Sequence, residues 1–125
     1  MVRKFAALAT VLTAALPAAA QKQSISVYFE PTRDQLLNNA IAAALTQPPF
    51  VLQTRRMAGA LEVTIPDRIQ VEYGQVTGTS WTFTVAFRRD GDSLGQSVES
   101  CNEHKLTDCT DQLVSDVKSA AGMGN

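Results

Sequence analysis

Residue types that carry catalysis are scarce in this chain of 125 residues, which contains one histidine and two cysteines. The Gly-x-Ser-x-Gly turn that presents the serine of α/β-hydrolases does not occur in it. A Ser-His-Asp or Cys-His mechanism would have to use His104, because no other histidine exists. The sequence therefore predicts no catalytic residue. A small secreted hydrolase that uses carboxylates together with His104 remains the alternative.

The chain also lacks a concentrated positive charge, since its 11 basic residues face 12 acidic ones. Proteins that bind nucleic acids present a basic surface, so a dedicated nucleic-acid binder is excluded. The four residues with side chains of metal-ligand type around the histidine are interpreted as polar residues of a surface loop: Glu99, Glu103, His104 and Asp108. We predict neither a metal site nor a cofactor.

Residues 1–20 have the pattern of a cleaved export signal. Arg3 and Lys4 precede an apolar run from Phe5 to Leu16, and Pro17–Ala20 supplies the small residues of a cleavage site. The run of roughly 12 residues is shorter than the ~20 that span a bilayer, so a membrane anchor is not expected. We expect cleavage after Ala20 and one periplasmic or extracellular domain over 21–125, ordered from about 24 to 121.

Cys101 and Cys109 are the two cysteines, and both belong to the exported part of the chain. In an oxidising compartment, such a pair is most simply a structural disulfide. The spacing differs from the Cys-x-x-Cys arrangement that redox-active pairs favour. The sequence therefore predicts a bond between Cys101 and Cys109.

Hydrophobic periodicity predicts the first three elements. Ile25, Val27 and Phe29 alternate with more polar residues, as in a strand with one buried face. A helix from about 33 to 46 follows, with Thr32 and Gln35 at the spacing of a capping box. A short strand at 50–52 completes a β-α-β unit, whose crossover should be right-handed if the two strands are parallel in one sheet.

The rest of the chain is rich in strand patterns. Apolar residues at odd positions between 61 and 73 fit either a hairpin that turns at Pro66 or one continuous edge strand, and the sequence leaves both open. A strand at 81–88 leads into the turn signal Asp90–Gly91 and a returning strand through 94–98. A last helix extends to about Ala121.

Together these patterns predict a two-layer α+β domain with the order β-α-β-β-β-β-α, in which a mostly antiparallel sheet carries both helices on one face. The order resembles that of small envelope domains such as the N-terminal domain of TolB-type periplasmic proteins. This resemblance is one of element order alone and implies no site residue.

Export, a disulfide and the lack of a catalytic set favour a non-enzymatic interaction module whose partner is another envelope or secreted protein. Its recognition surface would be the uncovered sheet face or an exposed edge strand. Tyr73 and Trp81 flank one loop and are the candidate binding residues. Both share the parity of core residues, so burial is expected for each.

The export signal is testable by intact-mass measurement of the protein isolated from its native host. The mature chain should begin at Gln21, because the small residues that end at Ala20 form the cleavage site. A cytoplasmic species that retains Met1 would contradict export.

Overall fold

The structure, a computed structural model, describes residues 24–122, and the predicted export signal lies outside them. Six strands, two helices and one 3-10 turn follow one another along the chain. They are β1 (Ile25–Phe29), α1 (Gln35–Leu45), β2 (Phe50–Gln53), β3 (Leu61–Thr64), β4 (Gln70–Gly74), β5 (Gly78–Arg89), β6 (Asp92–Asn102), the turn Glu103–Lys105 and α2 (Leu106–Ala120). The predicted α+β class is confirmed, with one strand more than the predicted order contains.

The strands form one mixed sheet. β1 pairs in parallel with β2 and with β3, so the predicted β-α-β unit is a parallel one. β5 pairs antiparallel with β3, β4 and β6. Within the described part of the chain, the parallel half of the sheet is therefore joined to the antiparallel half only through the pairing of β3 with β5.

The core lies between one face of the sheet and both helices. Residues of the same parity on each strand point to this face, as the alternating pattern predicts. Each helix contributes a stripe at three- and four-residue spacing. The buried residues include Val27, Leu61, Val63, Phe83, Val85 and Phe87 from the strands, Leu37, Ile41 and Leu45 from α1, and Leu113 and Val117 from α2. None of the helices within residues 24–122 is long and apolar enough to cross a membrane.

The first helix begins later than predicted, because Asp34 rather than Thr32 is its N-cap. The Asp34 carboxylate accepts the backbone N–H of Leu37 at 3.0 Å. Thr32 instead donates its hydroxyl to the amide oxygen of Asn38 at 2.7 Å. The predicted capping box of Thr32 and Gln35 is therefore wrong. A charged cap fits this position, since the helix N-terminus favours negative charge.

The segment from 61 to 73 is neither of the two predicted arrangements. It forms the separate strands β3 and β4, which pair with β5 and not with each other. β6 pairs with β5 from Ser80 to Arg89, so it occupies one edge of β5 along almost the whole strand. Both β3 and β4 must consequently lie on the opposite edge, end to end. Five residues, 65–69, connect β3 to β4, whereas only three residues of β5, 83–85, lie opposite this connection. The connection therefore bulges out of the sheet.

Asp90 and Gly91 form the predicted hairpin turn between β5 and β6. Both have positive φ, 51° and 89°, which is the conformation that a type I′ turn requires. At the other end of β6, Cys101 and Cys109 are disulfide-bonded with a Cα–Cα distance of 5.0 Å. The predicted disulfide is confirmed, and it joins the end of β6 to the first turn of α2.

We expect the Cys101→Ser/Cys109→Ser variant to lose roughly 2–3 kcal/mol of unfolding free energy, because the bond restricts the unfolded chain. Chemical denaturation under non-reducing conditions measures the loss. Ser100→Ala, which changes an exposed neighbour, is the control. Equal stability of the double variant and the wild type would show that the disulfide contributes nothing.

Candidate functional site

One strand position of the sheet is vacant. β1 lies beside β3 and ends at Phe29, which is opposite Val63. The backbone N–H of the next residue, Glu30, donates to the Val63 carbonyl at 3.1 Å. Beyond this point β4 continues along β5, yet among residues 24–122 no strand pairs with its outer edge. Alternate N–H and C=O groups of such an edge point outwards without strand partners. β4 can therefore accept another strand.

A groove of about 920 Å³ lies at the β1 end of this vacant position and reaches β4 at Val71. One wall is the segment Glu30–Asp34, which follows β1, and the other is the connection Thr64–Ile69 together with Val71. The rest of the lining is formed by Arg56, Glu62, Arg88 and Gly91. The volume is at the upper end of the range of typical ligand sites, ~300–1,000 Å³. The groove is thus large enough for a short extended peptide.

The Glu30–Asp34 wall is held in place by side-chain hydrogen bonds. The Asn38 amide donates to the Thr32 carbonyl at 2.8 Å and accepts the Thr32 N–H at 2.9 Å. The second carboxylate oxygen of Asp34 accepts the indole N–H of Trp81 at 2.6 Å. This wall is consequently tied both to α1 and to β5, and it is preformed.

The two candidate aromatic residues differ in their surroundings. Trp81 is buried, as expected, and its hydrogen bond to Asp34 satisfies the indole N–H. Tyr73 is 74% exposed, so the expectation of burial is wrong for it. Tyr73 and Val71 do point to the core side of the sheet, because their partners on β5 are Thr79 and Trp81. They are exposed because no element between residues 24 and 122 covers β4 there.

A charged cluster occupies the end of the groove nearest β1. Arg56 forms an ion pair with Glu30, with 2.6 Å between Nη2 and Oε1. This hydrogen bond and the carboxylates of Glu30 and Glu62 raise the pKa of Arg56. The Arg56 guanidinium also lies 6.0 Å from the centroid of the Tyr28 ring, at the outer limit for a cation–π contact.

Glu99 is a buried carboxyl group that sequence reasoning placed in a surface loop. It is 2% exposed, on the core side of β6, and its Oε2 accepts the Ser97 hydroxyl at 2.8 Å. Burial raises the pKa of Glu99 to about 7, and the neighbouring Asp116 of α2 adds to this shift through a hydrogen bond and its charge. The odd-position parity of β6 was the available signal, since Glu99 and Cys101 share it.

Among residues 24–122, His104 belongs to no group of three or more histidine, cysteine or carboxylate side chains that could hold a metal ion. It is exposed on the 3-10 turn, where its backbone N–H donates to the Asn102 side chain at 2.9 Å. The Glu103 carboxylate accepts the Thr79 N–H. Gly78 has positive φ, and a side chain there would collide with Glu103 and His104. The turn is therefore packed closely against the start of β5.

Comparisons with known proteins found few similarities. No family model matches the chain, and no curated protein matches it. Among solved structures, the chain is similar to a minor lipoprotein from Acinetobacter baumannii, with a TM-score of 0.41 and 18% sequence identity over 78% of this chain and 93% of the lipoprotein. A likeness of this degree carries no conclusion about function.

The raised pKa of Glu99 predicts that stability depends on pH. The folded domain binds this proton more tightly than the unfolded chain, so the stabilisation is complete below about pH 4.5 and is lost as the pH rises through about 7. Glu99→Gln removes this loss. The difference in unfolding free energy between Glu99→Gln and the wild type should therefore increase in favour of the variant as the pH rises from 5 to 8. The increase should be roughly 3 kcal/mol at most, because one pKa unit corresponds to about 1.4 kcal/mol.

Thermal unfolding at a series of pH values between 5 and 8 measures this difference. Glu72→Gln, which changes an exposed carboxylate on β4, is the matched control. If the difference in stability between Glu99→Gln and the wild type stayed constant across this pH range, the raised pKa of Glu99 would be contradicted.

Proposed function

We propose that this protein is an exported, non-enzymatic interaction module that binds an extended segment of another envelope or secreted protein by strand addition beside β4. The observation that carries the proposal is the vacant strand position. Backbone hydrogen bonds supply affinity in this mode of recognition, and side-chain contacts supply specificity.

The exposed apolar residues of the β4–β5 hairpin support the proposal. Val71, Tyr73 and Val76 are 54%, 74% and 90% exposed. Val71 and Tyr73 lie on one side of β4, so a strand beside it would cover part of both. Edge strands of soluble proteins usually carry charges that prevent pairing. The core-facing side of β4 carries none.

The other edges of the sheet are less suitable for strand addition. β6 has a register shift between Phe87 and Arg88 of β5 and an inward-pointing carboxyl group at Glu99, and both features discourage pairing at an edge. β2 has only four residues, Phe50–Gln53. The cavities that include residues of β2 and of β6 have volumes of about 470 and 590 Å³, against about 920 Å³ for the groove that reaches β4.

Export is supported by the sequence pattern of residues 1–20. A domain that works outside the cytoplasm is also consistent with the buried disulfide. The proposed partner belongs to the same compartment.

Site-specific photo-crosslinking in the native host tests the proposal. A photoreactive amino acid at Tyr73, beside the vacant position, should give one discrete crosslinked species in the envelope or secreted fraction. The same amino acid at Gln112, exposed on α2, should not. Val71→Lys should abolish the species without lowering the melting temperature, because a charge on the edge opposes strand addition.

Two results of the crosslinking experiment would contradict the proposal. No species from position 73 would overturn strand addition at β4. A species of equal yield from position 112, or one that persists in Val71→Lys, would show that the contact does not depend on this edge.

A further inference from the structure

We propose that the groove beside β4 captures the carboxyl-terminal end of a partner segment, and that Arg33 and Arg68 bind its terminal carboxylate. The inference rests on the function proposed above and specifies which part of the partner is recognised. It follows from the shape of the vacant position and from the charges at its closed end.

The vacant position is open at one end and closed at the other. β1 is in line with the vacant position and fills the place beside β3 as far as Glu30, whose N–H donates to the Val63 carbonyl. A strand beside β4 therefore cannot extend past Glu30 and Pro31, which line the groove. At the Gly74 end, no strand among residues 24–122 covers the outer edge of β4. A segment that enters from that side must end inside the groove.

The direction of the added strand decides which terminus lies at the closed end. β4 runs from Gln70, near the closed end, to Gly74 at the open end. A segment antiparallel to β4 places its carboxyl terminus at the closed end, whereas a parallel segment places its amino terminus there. The charges of the groove distinguish between a carboxylate and an ammonium group.

Four arginines line the groove, of which Arg56 is paired with Glu30 and Arg88 donates to the Gly91 carbonyl at 3.1 Å, so two are available to a carboxylate. Arg33 belongs to one wall and Arg68 to the other, and both side chains are exposed. Within residues 24–122 the only ion pair closer than 4.0 Å is that of Arg56 with Glu30, so neither guanidinium has a carboxylate partner there. Arginine binds carboxylates through two parallel hydrogen bonds, and the geometry suits a chain terminus.

The carboxylates that could attract an ammonium group are mostly engaged. Glu30 is paired with Arg56 at 2.6 Å. Both oxygens of Asp34 accept hydrogen bonds, from Leu37 and Trp81. Glu62 also lines the groove, but it lies opposite Arg88 in the pairing of β3 with β5, and its charge helps to raise the pKa of Arg56. Asp67, beside Arg68 in the connection, is the remaining acidic residue of the lining. The free groups at the closed end therefore favour a carboxylate.

Peptide binding measured by fluorescence polarisation tests the inference. The probe is a mixed pool of hexapeptides labelled with fluorescein at the amino terminus, synthesised once with a free carboxylate and once as the amide. The wild-type domain should bind the acid pool about tenfold more tightly than the amide pool, because charge-assisted hydrogen bonds are lost in the amide. In Arg33→Gln/Arg68→Gln this difference should disappear. Arg55→Gln, outside the groove lining, should preserve it.

The outcomes separate this inference from the proposed function. Equal binding of both pools that is lost in Val71→Lys would overturn carboxylate recognition and leave strand addition standing. A preference for the acid pool that survives in Arg33→Gln/Arg68→Gln would overturn the assignment of the two arginines. Absence of binding to either pool would overturn both the inference and the function on which it rests.

Discussion

The pairing of β5 is the constraint on which the rest of the structure depends. Its 12 residues present Trp81, Phe83, Val85 and Phe87 to the core, and its two edges bind three other strands. One edge is filled by the long strand β6. The other edge is shared by β3 and β4, and of these two strands only β3 pairs with β1. The vacant position beside β4 is therefore a consequence of how β5 divides its second edge between two short strands.

Two carboxyl groups have different roles at the two ends of this arrangement. Asp34 caps α1 and binds Trp81, so its carboxylate connects the helix to the sheet and at the same time builds a wall of the groove. Glu99 lies beside Asp116 between β6 and α2, where its carboxyl group is desolvated. A buried carboxyl on an edge strand discourages pairing with other chains. On the two sides of β5, the sheet thus has a protected long edge at β6 and an open short edge at β4.

Local sequence patterns predicted much of the fold. Alternation identified the strands, the Asp90–Gly91 pair identified the β5–β6 hairpin, and the two cysteines identified the disulfide. They could not predict that β3 and β4 share an edge of β5, because strand pairing is a non-local property. Parity likewise shows which face a side chain occupies and not whether another element covers it. Tyr73 was therefore expected in the core and is exposed, while the groove has no local signal at all.

Amide hydrogen exchange in the purified domain tests the vacant strand position most directly. In Gln70–Gly74, amides bonded to β5 should be protected and the alternate, outward-pointing amides should exchange rapidly. In Leu61–Val63, which lies between β1 and β5, every amide that pairs with a neighbouring strand should be protected. Uniform protection of Gln70–Gly74 in the isolated monomer would contradict the open edge of β4, and with it the groove as a binding site.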